Sequence, residues 1–310
     1  MNVRVALVLY VASVAACYAP TVPTGIACPD GACPNGQTCI AGYCDGQASD
    51  ATPVDDTMEI DAPIDEAPLG AWAVPTIIPE LSGSSNDWGP SISSDELTIY
   101  LNTDRFTPAE FTIYYASRAT KSSTWGTLTP IPGIDLFGGD EFHAEVSLDG
   151  KELIFVSDFP PEGLRKMTRL DATQAWTGPA YVPINEKESP SLFASDLRLI
   201  VSDNNVSEYA RTDASAPWSF QRNHPTLNQH RLPTVSADGL EIYTIRLDKL
   251  YRATRSDVSQ PFGTPTRVSF GEPFDSYEYF DPELSADGRT MYVSIDTGSA
   301  SDADIYVTTR

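Results

Sequence analysis

From residue 71 to the carboxyl terminus, apolar and polar positions alternate in short runs separated by turn-forming residues. Five runs read as equivalent strands: Leu97-Thr98-Ile99-Tyr100, Leu153-Ile154-Phe155-Val156, Leu197-Arg198-Leu199-Ile200, Leu240-Glu241-Ile242-Tyr243 and Thr290-Met291-Tyr292-Val293. Each follows a turn dipeptide: Asp95-Glu96, Asp149-Gly150, Ser195-Asp196, Asp238-Gly239 or Asp287-Gly288. Asp-Gly in that place fits a two-residue hairpin turn. A further strand in each unit ends in arginine, at Arg118, Arg169, Arg211, Arg255 and Arg310. No segment carries a sustained helical period with capping signals, and 25 prolines with 20 glycines favour a turn-rich, all-β chain.

A second regularity fixes how the units join. Arg118, Arg169, Arg211 and Arg255 are each followed, seven positions on, by an aromatic residue: Trp125, Trp176, Trp218 and Phe262. These aromatics open a fourth strand. Arg310 is the last residue, so its fourth strand is missing, while Trp72 opens the unclaimed run Ala73-Val74-Pro75-Thr76-Ile77-Ile78 at the other end. Five three-strand sets and five aromatic-led strands make five four-stranded blades. The amino-terminal strand is expected beside Ile305–Thr309, which removes an exposed strand edge. Residues 71–310 give about 48 residues per unit, inside the range of about 40–50 for propeller repeats. The recurring Pro-x-[Leu/Ile/Val]-Ser-x-Asp-Gly, then Ile-Tyr or Met-Tyr, then Ile-Tyr-x-x-x-Arg resembles the WD-repeat-like bacterial propeller family that includes the TolB propeller. Repeat three departs from it at Phe193 and Ser195-Asp196. The TolB propeller has six blades against the five units here. The resemblance implies partner binding through one propeller face.

The first strand of each unit is expected to line the central channel. Strict alternation puts Phe142, Ala144 and Val146 on one face and Glu141, His143 and Glu145 on the other. Likewise Phe280, Pro282 and Leu284 alternate with Asp281 and Glu283. The apolar rows should pack between blades. The polar rows should converge on the channel, with Ser91, Ser191 and Thr234 in equivalent slots and Trp88, His230 and Arg231 close to one mouth. The candidate ligand-binding set is therefore Trp88, His143, Glu145, His230, Arg231, Asp281 and Glu283. Three readings stay open for it: polar groups holding water and backbone, a binding site for a cation, sugar or peptide end, and a glycosidase built on Glu145 and Glu283. No family motif surrounds either glutamate, and fold alone is no evidence of activity. The chain has three histidines and no Gly-x-Ser-x-Gly elbow, against a serine hydrolase. Metal ligation by His143 with His230, or calcium at Asp302 and Asp304 or at Asp203-Asn204-Asn205, has ordinary turn and packing explanations. No cofactor, metal or catalytic residue is assigned.

The amino-terminal portion changes the picture of where the propeller works. Met1-Asn2-Val3-Arg4 is a short basic region, and Val5 to Ala16 is an apolar run too short to span a bilayer. Residues 1–16 read as a signal peptide. Val14-Ala15-Ala16-Cys17 resembles the bacterial lipobox, which implies lipidation of Cys17 as the first mature residue. Tyr18 in place of Asp favours the outer membrane by analogy with enterobacterial sorting. Residues 17–27 form the anchored linker. Cys28, Cys33, Cys39 and Cys44 then fall within turn-rich text, read as a two-disulfide module over 28–44 of open connectivity. Their spacing suits a four-thiolate zinc site poorly. Residues 45–70, rich in Asp, Ala, Pro and Thr without Lys or Arg, read as an extended, disordered acidic tether. The formal net charge of −23 argues against a nucleic-acid partner, which needs a basic footprint. The expectation is a monomeric, lipid-anchored envelope protein whose propeller binds a protein or a glycan without catalysis. The alternative is a glycan-cleaving propeller.

Overall fold

The structure, a computed structural model, describes residues 39–40, 43–44, 70–107, 110–134, 138–184, 188–203, 205–298 and 303–310. The chain divides into two units, Met1–Asp65 and Glu66–Arg310. In the first, the backbone of β1 (Cys39–Ile40) pairs antiparallel with β2 (Tyr43–Cys44). The signal peptide, Cys17, Cys28, Cys33 and the acidic tether up to residue 69 lie outside the described residues, as do the side chains of Cys39 and Cys44 and the Asn204 and Asp302 calcium candidates.

The second unit is a five-bladed β-propeller of four-stranded antiparallel blades. Blade I contains β4 (Asp87–Ile92), β5 (Thr98–Thr103), β6 (Thr112–Ser117) and β7 (Thr129–Pro130). Blade II contains β8 (Glu141–Val146), β9 (Glu152–Ser157), β10 (Gly163–Thr168) and β11 (Thr177–Tyr181). Blade III contains β12 (Glu188–Phe193), β13 (Arg198–Ser202), β14 (Val206–Ala210) and β15 (Ser219–Asn223). Blade IV contains β16 (Arg231–Val235), β17 (Glu241–Arg246), β18 (Lys249–Thr254) and β19 (Thr266–Arg267). Blade V joins β20 (Glu278–Leu284), β21 (Thr290–Asp296) and β22 (Asp304–Thr309) to β3 (Thr76–Ile77), the strand from the other end of the unit. Tyr306 faces Ile77 and Val307 faces Thr76, so the ring closes where the repeat arithmetic places it.

The core is divided among five seams, one between each pair of neighbouring blades. At the seam of blades I and II, for example, Tyr100 and Ile113 pack with Ala144, Val146, Leu153 and Phe155. At the closing seam, Ile78, Leu81 and Ile305 pack with Ile92, Leu101 and Trp125. This partition follows from strand alternation on flat blades: each sheet has two apolar faces, and each face meets a neighbour.

The five arginines fasten these seams. Each donates its Nε–H to the last turn carbonyl of its own blade: Arg118 to Glu96, Arg169 to Gly150, Arg211 to Asp196, Arg255 to Gly239 and Arg310 to Gly288. Each also stacks on the aromatic that precedes the fourth strand, at 4.0–4.4 Å from the ring centre. Trp72 serves Arg310 as Trp125 serves Arg118. The guanidinium ends reach the preceding blade. Arg211 pairs with Glu152, Arg255 with Glu208 and Arg310 with Glu241, whereas Arg118 meets the Tyr292 hydroxyl and Arg169 that of Tyr100. The turns differ from the two-residue form expected. Ser147 N–H bonds back to Glu152 O across the loop, and Gly150 N–H bonds to Ser147 O, giving a four-residue loop around a tight turn. The Ser hydroxyl of Ser-x-Asp-Gly donates to the Asp carboxylate, which also accepts a backbone N–H two residues on. The glycine takes a positive φ; at Gly239 (φ 75°) an added Cβ would sit 2.6 Å from the Phe193 ring.

Candidate functional site

All five inner strands carry an irregularity at one level, between Trp88 and Ser91, Phe142 and Glu145, Glu188 and Ser191, Arg231 and Thr234, and Phe280 and Glu283. The residue just inside it has a positive φ in every blade: Gly89 60°, His143 50°, Ser189 36°, Leu232 53° and Asp281 43°. Four non-glycine residues in this region each cost about 1–2 kcal/mol, so a repeated strain is held by the surrounding ring. The extra residue reverses the alternation. Glu141 pairs with Ser157 while Glu145 pairs with Ile154, so the two glutamates do not share a face as strict period two requires. Phe142 and Phe280, expected between blades, turn instead to the mouth.

Three tiers result. The outer tier is Trp88, Phe142, Glu188, Arg231 and Phe280, all lining a mouth cavity of about 500 Å³. Trp88 stacks on Phe111 at 5.3 Å and on Phe280 at 6.1 Å, and Phe111 leans on Phe142 at 5.4 Å, forming a continuous aromatic wall. Asp158, Glu162, Asp203 and Glu188 line the same cavity. Arg231 is tied to Asp248 at 2.8 Å and lies 5.9 Å from the Phe280 ring.

The second tier is Gly89, His143, Ser189, Leu232 and Asp281. His143 Nδ1 lies 2.9 Å from Asp281 Oδ1 across the channel. Burial opposes a charged imidazole, but the Asp281 carboxylate overrides it and holds the His143 pKa above the ordinary 6.5. Glycine is required at 89, because a Cβ there would lie 2.4 Å from Asn102 Oδ1, the atom that accepts the His143 N–H.

The third tier is Ser91, Glu145, Ser191, Thr234 and Glu283, all buried. Each accepts a backbone N–H from the next blade. Val146 donates to Ser91, Leu192 to Glu145, Val235 to Ser191, Leu284 to Thr234 and Ile92 to Glu283, so the circle closes on itself. Thr234 also donates to Glu283 Oε2 at 3.2 Å. Burial, reinforced by the Glu283 charge, pushes Glu145 well above the ordinary 4.5. Burial pushes Glu283 up to about 8. The throat they share is a cavity of about 20 Å³, room for about one water.

The sequence-predicted residues therefore divide. Trp88, His143, Arg231 and Asp281 meet at the mouth, and Glu145 and Glu283 meet below it in the throat. His230, expected beside the mouth, is 1 % exposed and lines neither cavity. Its Nδ1 is 2.8 Å from Thr244 Oγ1, its ring meets Tyr251 edge-on, and burial with Arg246 nearby lowers its pKa to about 4. It therefore does not join His143 in a ligand set. Among the described residues, no group of three or more His, Cys, Asp or Glu is placed to hold a metal ion. Glu188, Asp158 and Glu162 were not singled out from the sequence, Phe142 and Phe280 were assigned to the seams, and Asp203 was read only as a calcium candidate. A signal for the bulge was present: Pro90, Pro190, Pro233 and Pro282 follow the left-handed residue in four of five inner strands. A proline has no N–H for a ladder and so marks edges and bulges.

No family model matches the sequence, and no curated protein matches it. Solved structures do. A GH62 hydrolase in complex with xylotriose is 10 % identical, with a TM-score of 0.51 over 77 % of this chain and 97 % of that one. A protein of unknown function from Dyadobacter fermentans is 12 % identical, at a TM-score of 0.48 over 77 % of this chain and 99 % of that one. TolB from Acinetobacter baumannii is 15 % identical, at a TM-score of 0.41 over 73 % of this chain and 54 % of that one. At such identities the likeness speaks to the propeller fold alone. No helix among the described residues is long and apolar enough to cross a membrane.

Proposed function

We propose that this chain is an exported, lipid-anchored propeller of the bacterial cell envelope, outer-membrane in location, that binds a protein or glycan ligand at its channel mouth without catalysis. The observation that carries the reading is the contrast between mouth and throat. The mouth offers about 500 Å³ lined by an aromatic wall and by carboxylates. Flat aromatic faces take sugar C–H surfaces or apolar side chains, and the acids take hydroxyls, amides or cations. The two glutamates that a glycosidase would use lie below, 7 % and 8 % exposed and engaged with backbone N–H groups of neighbouring blades. Carboxyl pairs in glycosidases flank the scissile bond at about 5–9.5 Å, and a throat of about 20 Å³ admits no sugar ring. The glycan-cleaving alternative would need these carboxyls to reach a substrate held above them.

The test is a screen of envelope proteins, oligosaccharides and aryl-glycosides against the full propeller. A ligand is expected to bind without turnover, and Trp88→Ala or Phe280→Ala should weaken it at least tenfold while the fold persists by circular dichroism. Hydrolysis abolished by Glu145→Gln or Glu283→Gln would replace the binding reading with the enzymatic one. The anchoring claim has its own check. Cys17→Ser should move the protein from the membrane fraction to the soluble one, and unchanged fractionation would remove the lipid anchor from the proposal.

A further inference from the structure

The arginine that fastens each seam is the same device five times, which makes its one incomplete instance informative. The second-strand residue facing the seam is Thr98, Glu152, Arg198, Glu241 and Thr290 in blades I to V; in the blades other than III its carbonyl accepts the matching first-strand N–H. Where it is glutamate, the next blade's arginine pairs with it: Arg211 with Glu152 and Arg310 with Glu241. Blade III has arginine there, and Glu208 from the neighbouring strand takes over for Arg255 at 2.9 Å. Blade V has threonine, and Arg118 finds the Glu96 carboxylate of its own turn at 3.9 Å. Only at the seam of blades I and II does no carboxylate of the described residues come within ion-pair distance of the arginine. Arg169 has the Gly150 carbonyl, the Trp176 face and a long contact of 3.5 Å to the Tyr100 hydroxyl.

A cleft of about 550 Å³ opens at that seam, with Arg169 and Trp176 at its side and Thr98, Ser117, Ser94 and Gln174 around it. The next seam also has a cleft, of about 400 Å³, but there Arg211 is held by Glu152. Two aspartates border the larger cleft, and both have inward commitments. Asp95 accepts from Ser93 and Leu97, and Asp149 from Ser147 and Lys151. Their charges oppose a doubly charged anion more strongly than a singly charged one. The hydroxyls beside Arg169, Ser94 bonded to Leu148 O and Thr98 paired with Ser117, keep lone pairs that with the Gln174 amide match a ligand rich in hydroxyl groups.

We propose that the cleft between blades I and II is a second ligand site, separate from the mouth, in which Arg169 binds the carboxylate of a hydroxyl-rich organic acid of the sugar-acid class. The ligand carboxylate stands where the glutamate of blades II and IV stands. A planar guanidinium takes a carboxylate through paired N–H bonds, so geometry as well as charge selects it.

The repeat supplies the test variant. Thr98→Glu installs at blade I the residue that blades II and IV already carry, so it should fold and pair with Arg169 internally. Calorimetric titration of the full propeller at fixed ionic strength would use glucuronate, with glucose and acetate as controls. Glucuronate is expected to bind wild type at least tenfold more tightly than either control, and Thr98→Glu should reduce that affinity at least tenfold while raising the melting temperature. Trp88→Ala at the mouth should leave glucuronate binding unchanged. Equal affinity for acetate would overturn the ligand class. Absence of binding to wild type, or retention of binding by Thr98→Glu, would overturn the site. Loss of binding on Trp88→Ala alone would place glucuronate at the mouth and overturn the separate cleft while leaving the mouth reading intact.

Discussion

Removing residues 1–82 should leave a propeller that melts at a markedly lower temperature. The segment brings Trp72, whose Nε1 donates to the Tyr243 hydroxyl at 2.9 Å and whose ring carries Arg310. Its backbone bonds β22 through Ala73 N–H to Thr309 O and Ile78 N–H to Ile305 O, beside the β3 ladder. Leu81, fully buried, and Ile78 fill the closing seam. Each such hydrogen bond contributes about 1 kcal/mol net and each buried aliphatic about 1.5–3 kcal/mol. Their loss is a large part of the roughly 5–15 kcal/mol that holds a domain together, and it bares the β22 edge to association. The expected drop in melting temperature is about 10 °C or more, at roughly 2–4 °C per kcal/mol for this size. Trp72→Ala alone should lower it by a smaller amount in the same direction. A peptide spanning 70–82, added in trans, should restore part of the loss. Unchanged melting of the truncated chain would refute closure by this strand.

Stability should fall as pH rises from about 4.5 to about 8, and Glu283→Gln should flatten that fall. Burial raises the native Glu283 pKa to about 8 from 4.5, and Glu145 moves the same way. In that window the native state keeps protons that the unfolded chain has released, so each step up in pH favours unfolding. Asp87, raised by burial to about 6 from 3.8, adds the same sign at lower pH, and so does His143 above 6.5. Carboxylates held low act oppositely. Glu208, despite its burial, is held at about 2 by His224, Arg255 and Arg198, and its contribution is lost as pH falls from 4.5 towards 2. His230, lowered to about 4 by burial with Arg246 nearby, adds stability as pH rises from about 4 to 6.5, so the fall is shallow below about pH 6.5 and steepest from there to about 8. Glutamine at 283 keeps an oxygen for the Ile92 N–H without a titrating proton. At pH 8 it should exceed wild type by on the order of 1–3 kcal/mol in urea unfolding. Glu283→Ala should destabilise at every pH, because it leaves the Ile92 N–H unpaired in the throat. An identical pH dependence for wild type and Glu283→Gln between pH 6.5 and 8 would rule out the raised Glu283 pKa.

Much of the architecture was legible because propeller blades are local objects. The turn dipeptide, the Leu97–Tyr100 type of strand and the terminal arginine lie within one stretch of chain, and each repeats five times. The arginine-to-aromatic spacing was also local. Its one unmatched member, Arg310, pointed to Trp72 across almost the whole unit because the last repeat lacks nothing but its aromatic-led fourth strand, and the structure shows that the aromatic stacks on the guanidinium. The site was only partly legible. Period two assigned Phe142 and Phe280 to the seams, but a left-handed residue at 143 and at 281 turned them into the mouth wall. His230 looked like a neighbour of Arg231 in function, yet the residue before a channel-facing position points behind the strand, and its ring went to Thr244 and Tyr251.

By itself the order of residues determined five equivalent units, their antiparallel pairing and the borrowed strand that completes the last, since hydrogen-bond period, turn chemistry and repeat length all act over a few neighbouring positions. Tertiary structure alone decided which groups meet across the channel and the seams. His143 faces Asp281, Glu145 comes near Glu283, and Arg169 arrives opposite a threonine instead of a glutamate. These meetings depend on the bulge in each inner strand and on the closed circle of side-chain-to-backbone bonds from blade to blade. Such contacts exist only once all five blades are in place, so no single stretch of chain encodes them.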